Sequence, residues 1–336
     1  MNVLIDMPVH VHLLDSLQNM DGIKVKLTEN PEEKVRDLPV EQIRNCDILF
    51  CTLPPENHEQ MTSLKMIQLS SSGYQQLIGQ KFEARNIKAC NALGVFDVPI
   101  AEWNIAMMIN LARDLRTLIR NQDAQIWDRS ACFQHEIHGS VVGIWGYGGI
   151  GRETARLAKA LGMKVHVLTR NGVGQRENTY CVPGTGDPEG KLPNRVFLMH
   201  EKEEFLKGLD FLIMSIPLTK STEGIVGKTE LQMLNSKTFL LNPARGPLIQ
   251  EEALLCALRE GWIAGAALDT HYHYPMPPDH PLWHMPNVIL TPHISGSSGS
   301  QYFIERVWGI FIQNIRRLQN GECLLNQLTP SQLKGN

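Results

Sequence analysis

Six consecutive residues, Gly146-Tyr147-Gly148-Gly149-Ile150-Gly151, have the types and order needed to cradle a pyrophosphate. They follow the apolar run VVGIW (141–145) and precede the helix-forming stretch RETARLAKALG (152–162). Glycines in this order allow a tight turn, let the main chain approach a phosphate and let helix pack on strand, while the helix N-terminus favours the anion. With the next apolar run, KVHVL (164–168), the segment reads as one βαβ unit that binds a dinucleotide, an ordinary glycine-rich turn being the plain alternative. An NAD site ends its second strand in an acid that grips the ribose 2′-hydroxyl. Here Thr169-Arg170 stands in that place. A carboxylate would repel a 2′-phosphate, whereas a hydroxyl and a guanidinium can bond and neutralise it. NADP(H) is therefore favoured. NAD(H) remains the alternative, as does an exposed Arg170 with no ligand role.

The elements that must position this cradle alternate as strand and helix along the whole chain, the rhythm of a parallel sheet covered by helices. Residues 2–5, 46–52 and 66–69 read as strands of a first α/β unit. Residues 100–120 predict one long helix with Ile105, Met108, Ile109 and Ala112 on one face. A loop-like stretch with Trp127 and Phe133 follows, and a second α/β unit opens near His138-Gly139-Ser140. Residues 172–194 are too rich in Gly and Pro for a regular element and predict a surface insertion loop, either a lid over bound cofactor or a neutral insertion.

Composition narrows the partners. The 336 residues, 43% apolar and 20% charged, fit about two soluble globular domains. A formal net charge of -3 offers no positive field for nucleic acid. No run approaches the ~18 apolar residues that would span a bilayer, and MNVLIDMPVHVHLLDSL lacks a basic leader, so a cytoplasmic protein without membrane contact is expected. The seven cysteines (46, 51, 90, 132, 181, 256 and 323) contain no CxxC pair and read as reduced, packed thiols.

Three further runs are more specific: DFLIMSIPLT (210–219), LLNPARGPLIQEEALLCALREGWIAGAALD (240–269) and PLWHMPNVILTPHISG (281–296). With the glycine cradle they resemble the D-isomer-specific 2-hydroxyacid dehydrogenase superfamily, with its glyoxylate/hydroxypyruvate reductase, phosphoglycerate dehydrogenase and formate dehydrogenase members, over about residues 64–327. The resemblance implies two Rossmann-like, doubly wound parallel-sheet α/β domains. A dinucleotide-binding domain (98–296) is inserted in a substrate domain (1–97 and 297–336), to which a helix at 303–320 returns. It also implies a homodimer built through the cofactor domain and hydride transfer between a nicotinamide cofactor and a 2-keto or 2-hydroxy acid.

Residue by residue, the resemblance makes Arg245 the cation that fixes a small carboxylate substrate and polarises its carbonyl, and His293 the acid beside the developing alkoxide. Asp269 takes the place of the acid on the nicotinamide carboxamide, with Pro243, Ala244 and Ser295 along the ring and Pro217 on the adenosine side. Ser72-Gly73 matches the loop whose amides hold the carboxylate, and Phe96, Trp103, Tyr272 and Tyr274 form an apolar wall.

One position departs from the pattern. The family's Glu, which hydrogen-bonds the catalytic His, is Tyr274 here, with Pro275 and the Pro281-Leu282-Trp283 run still in register. A phenol can share a hydrogen bond with the imidazole but brings no negative charge, so His293 is expected to have a lower pKa than it would beside a Glu. Formate dehydrogenases carry Gln there, followed by a stretch like PMPPDHP (275–281), so the loss is compatible with hydride transfer. A dinucleotide-binding regulator without efficient turnover, or a dehydrogenase of a small anion like formate, are the alternatives. His271, His273, His280, His284 and His293 lack the carboxylate or Cys spacing of a metal site, and none is expected.

Overall fold

Apolar runs such as ILFC, FLIM and GAAL are buried at every residue, as strands covered on both faces by helices must be. The computed structural model describes residues 1–31, 34–130 and 135–335, so Cys132 and Phe133 lie outside the described residues. The chain forms two compact units: Met1–Phe96 with Glu177–Val182 and Ser298–Asn336, and Asp97–Arg176 with Pro183–Ser297.

The first unit holds β1 (Asn2–Asp6), β2 (Lys24–Leu27), β3 (Ile48–Cys51), β4 (Met66–Leu69) and β5 (Lys88–Cys90) in the order β2-β1-β3-β4-β5, every pairing parallel. Its core centres on the helix Gln301–Asn320, N-capped by Ser300 and ended by Gly321 at φ +71°. Phe311 of that helix stacks on Phe50 with ring centroids 4.0 Å apart, and Trp308 meets Phe50 edge-on at 5.4 Å.

The second unit holds β6 (Val141–Trp145), β7 (Lys164–Thr169), β8 (Arg195–Leu198), β9 (Phe211–Met214), β10 (Phe239–Asn242), β11 (Gly265–Leu268) and β12 (Val288–Leu290). Their order, β12-β11-β10-β9-β6-β7-β8, is again wholly parallel. Strand order reverses between β6 and β9, the place where an open α/β sheet leaves a crevice for ligands, and the glycine loop leaves β6 there.

Two expectations need correction. The helix predicted over 100–120 is two helices, Asp97–Ala112 and Leu115–Asp123, because Asp114 takes a left-handed conformation (φ +44°) and its side chain caps the second helix at Thr117 N. The first helix buries Ala101, Asn104, Met108, Leu111 and Ala112, while Ile109 is exposed. The stretch 172–194 is not a plain surface loop. Its residues 177–182 belong to the first unit, where Tyr180 packs against the core cluster and Asn326 accepts from Tyr180 N and donates to Leu93 O.

Phe311 is fully buried. Truncating it, Phe311→Ala, is expected to cost about 3–5 kcal/mol, the range for a large core aromatic. Urea unfolding monitored by circular dichroism checks the figure.

Candidate active site

Each glycine of the cradle meets a different constraint. Gly146 has φ +102°, and a Cβ there would lie 2.4 Å from Ser215 O. At Gly151 a Cβ would lie 2.5 Å from Gly146 O, so the helix Gly149–Ala160 can pack this closely on the turn only without a side chain. Gly149 faces the Asp97 carboxylate, which a Cβ would strike at 1.7 Å. Gly148 is exposed, and a Cβ on it would meet nothing within 4 Å. Its main chain is therefore open to an approaching phosphate, while Ile150 is half-buried at the helix start.

At the end of β7, Thr169 Oγ1 is buried without a hydrogen-bond partner, and Arg170 is exposed. An orphaned hydroxyl beside the glycine loop suits a ribose hydroxyl or its phosphate, so these residues fit a nicotinamide dinucleotide. The insertion loop grips the same cradle. Tyr147 donates to Asp187 Oδ2 at 2.7 Å, Arg152 donates to Tyr147 O at 3.2 Å and to Asp187 O, and Gly186 N donates to Glu153. Burial opposes ionisation of Asp187, but hydrogen bonds from Leu192 N, Tyr147 and Lys191 N and the charge of Arg152 hold it below the usual carboxylate range.

The carboxyl ends of β10, β11 and β12 lead to Arg245, Asp269 and His293, the candidate side chains. Asn242, buried at the end of β10, accepts from Ala244 N and Arg245 N and donates to Arg245 O at 2.8 Å. The turn so wrapped presents an exposed Arg245 whose Nη1 donates to Ala244 O. Asp269, directly after β11, is fully buried. Its carboxylate accepts from Thr291 Oγ1 at 2.5 Å, Ile294 N at 2.9 Å, and Ser295 N at 3.0 Å, besides Ser295 Oγ. Between these anchors sits His293 at φ +57°, a left-handed conformation that costs about 1–3 kcal/mol for a side-chain-bearing residue and persists only where the surroundings over-determine it. Burial first, then the Arg245 guanidinium, hold the His293 pKa below its ordinary 6.5, with Asp269 opposing and His271 adding to the effect.

Comparison with known proteins gives the family. Residues 105–295 match the family described as D-isomer specific 2-hydroxyacid dehydrogenase, NAD binding domain. The chain belongs to that family. It is 29% identical to a glyoxylate reductase of Thermofilum pendens over 271 residues, 78% of this chain and 76% of the relative. It is 30% identical to a putative 2-hydroxyacid dehydrogenase of Haemophilus influenzae over 289 residues, 82% and 85% of the two chains. Among solved structures, the D-isomer specific 2-hydroxyacid dehydrogenase of Xanthobacter autotrophicus in complex with NADPH and MES superposes with a TM-score of 0.73 at 23% identity, covering 98% of this chain and 99% of that one.

In this 2-hydroxyacid dehydrogenase, position 274 departs from the expected bond. Tyr274 makes no hydrogen bond to His293: its hydroxyl accepts from His271 N at 3.2 Å, and its ring lies tilted against the His293 ring with centroids 5.6 Å apart. The buried Asp269 and Ser295 bond each other, and the acid holds the loop that carries His293. Trp103 packs against the second unit's core, and Phe96, in the first unit, stacks on Phe303 at 5.2 Å. Pro243 is buried, Ala244 half-buried and Pro217 exposed, its carbonyl accepting from Thr222 Oγ1 at 2.7 Å. In the first unit the N–H groups of Ser72 and Gly73 donate to no acceptor among the described residues, while Ser72 O accepts from Asn91 Nδ2 at 2.7 Å. Sequence reasoning passed over Asn242, Thr291 and Asp187; of these only Asn242, inside the NPARG run, stood next to a recognised residue.

Gly148→Ala is expected to leave stability nearly unchanged, since its φ of -75° is open to alanine, but to weaken dinucleotide binding at least about tenfold by blocking close approach of the main chain. Gly151→Ala should instead lower Tm. Fluorescence titration with cofactor and thermal melting separate the two effects.

Proposed function

We propose that this dehydrogenase reduces a small 2-keto acid to the 2-hydroxy acid, with NADPH the preferred donor, and that Arg245 and His293 are its catalytic residues. The observation that carries the reading is that Arg245 and His293 follow β10 and β12, the two strands that flank β11, at one end of the sheet, near enough for the guanidinium charge to lower the imidazole pKa. A fixed cation and a titratable imidazole at one end suit an anion that must also receive a proton. The cofactor supplies the hydride. Arg245 is suited to hold the carboxylate and draw charge toward the carbonyl oxygen, its exposed, planar fork having only one internal bond to release. His293 is suited to give its proton to that oxygen as charge develops.

Thr169 and Arg170 support NADPH, because no acid stands at the end of β7 to repel a 2′-phosphate. Gly146, Gly148 and Gly151 would admit the pyrophosphate, with Tyr147 holding the insertion loop beside it. The free N–H groups of Ser72 and Gly73 are the feature of the first unit that suits a substrate carboxylate. No helix among the described residues is long and apolar enough to cross a membrane. The described cysteines are free thiols, which suits a reducing compartment, and we assign the protein to the cytoplasm. A homodimer is supported by the helix Leu115–Asp123, which buries no residue of its own and exposes Leu118 and Ile119, and by Trp127, 90% exposed just beyond it.

Three measurements test the reading. A turnover screen of NADPH against a panel of 2-keto acids should find a substrate; Arg245→Ala should lower kcat/KM by about 10²–10³-fold with cofactor affinity intact. Arg170→Ala should weaken NADPH about tenfold or more and leave NADH unchanged. Because His293 must be protonated to act as the acid and its pKa is lowered, reduction should fall away as pH rises on the acid side of an ordinary histidine. Tyr274→Glu should move that limb upward, whereas identical limbs would mean that position 274 does not face His293 and that either another carboxylate has the role or His293 is not the acid.

A further inference from the structure

We propose that His271 is a positioning residue for His293, holding the catalytic loop in place of the carboxylate that this chain lacks at position 274. The inference rests on the reading of His293 as the acid. The His271 side chain is nine-tenths buried, its relative exposure being 8%. Its Nε2 lies 2.7 Å from Thr291 O, and because a carbonyl only accepts, Nε2 must carry the proton. The same carbonyl accepts from His293 N at 3.0 Å. One oxygen thus joins the ring of His271 to the main chain of His293, at the residue forced into a left-handed conformation.

The other ring nitrogen, Nδ1, is buried with no hydrogen-bond partner. An apolar ring of the same shape would fill the space without that penalty, so packing alone does not account for a histidine here. Its one satisfied polar contact is the bond to Thr291. Tyr274 completes the arrangement: its hydroxyl accepts from His271 N, and its ring stands near both imidazoles, 6.2 Å from His271 and 5.6 Å from His293. The groups facing His293 are therefore Arg245, Asp269, His271 and Tyr274, and among the four only Asp269 carries negative charge, all of it engaged in holding residues 291–295. Orientation of the acid then falls to the two side chains that bond the Thr291 segment, Asp269 through Oγ1 and His271 through the carbonyl.

The test compares His271→Phe, which keeps the ring volume but has no donor, with His271→Gln, whose amide N–H can reach the same carbonyl. In the Phe variant kcat for keto-acid reduction should fall about tenfold with the KM for NADPH unchanged, and the Gln variant should recover most of it. The His293 pKa, followed by nitrogen-edited NMR, should rise in the Phe variant as the loosened ring gains water, and return in the Gln variant. Unchanged kcat and unchanged His293 titration in His271→Phe would overturn the proposal, as would equal impairment of both variants. If the wild type reduces no keto acid, the functional reading fails by itself, while the NMR titration still decides whether His271 positions His293.

Discussion

A carboxylate removed from water costs several kcal/mol, roughly, unless hydrogen bonds replace its lost hydration. Asp269 meets that condition by drawing in Thr291, Ile294 and Ser295, and the catalytic end of the sheet follows from it. With residues 291, 294 and 295 held to one buried group, the chain between them has little freedom, and His293 takes a conformation it would avoid in an unconstrained loop. The strain is local and the support comes from a strand away. Because β10, β11 and β12 are parallel neighbours, their carboxyl ends lie along one edge, so Arg245, Asp269 and His293 are brought together by hydrogen-bond register rather than by sequence proximity.

The cofactor cradle is supported in a different way. Its glycines are required where main chain meets main chain or a carboxylate, at Gly146, Gly149 and Gly151, and only Gly148 leaves open space. The turn is then braced from outside by Asp187 through Tyr147 and Arg152. A segment rich in Gly and Pro, with little regular structure, becomes ordered here because its polar groups have buried partners: Asp187 alone accepts from Tyr147, Lys191 N and Leu192 N. In the same stretch Asn178 and Tyr180 bond Asn326 of the first unit, so one loop is divided between the two compact bodies.

Much of this protein was legible in its sequence. The glycine order, the short apolar runs and the NPARG and TPHISG segments are local patterns, and local patterns act through main-chain geometry and periodicity that consecutive residues specify. They determined the parallel α/β class and the family, and they are the grounds on which the dinucleotide cradle and the pair Arg245 and His293 are proposed. That Tyr stands at 274 could be read directly, whereas the lowered His293 pKa comes from burial and the Arg245 guanidinium, which the sequence does not show.

Only the tertiary structure decided where each polar group spends its hydrogen bonds. Tyr274 faces a main-chain N–H rather than the imidazole, Asp269 turns inward to residues 291–295, and the helix over 100–120 breaks at Asp114. His271, set aside as one of five histidines without metal spacing, became a neighbour of the catalytic loop through Thr291. Tyr274 and Asp114 bond partners close in the chain, but Asp269 and His271 bond a segment that follows another strand. A side chain of given type offers a fixed set of donors and acceptors, but which partner it meets depends on strands and loops distant in sequence, and periodicity carries no information about that choice.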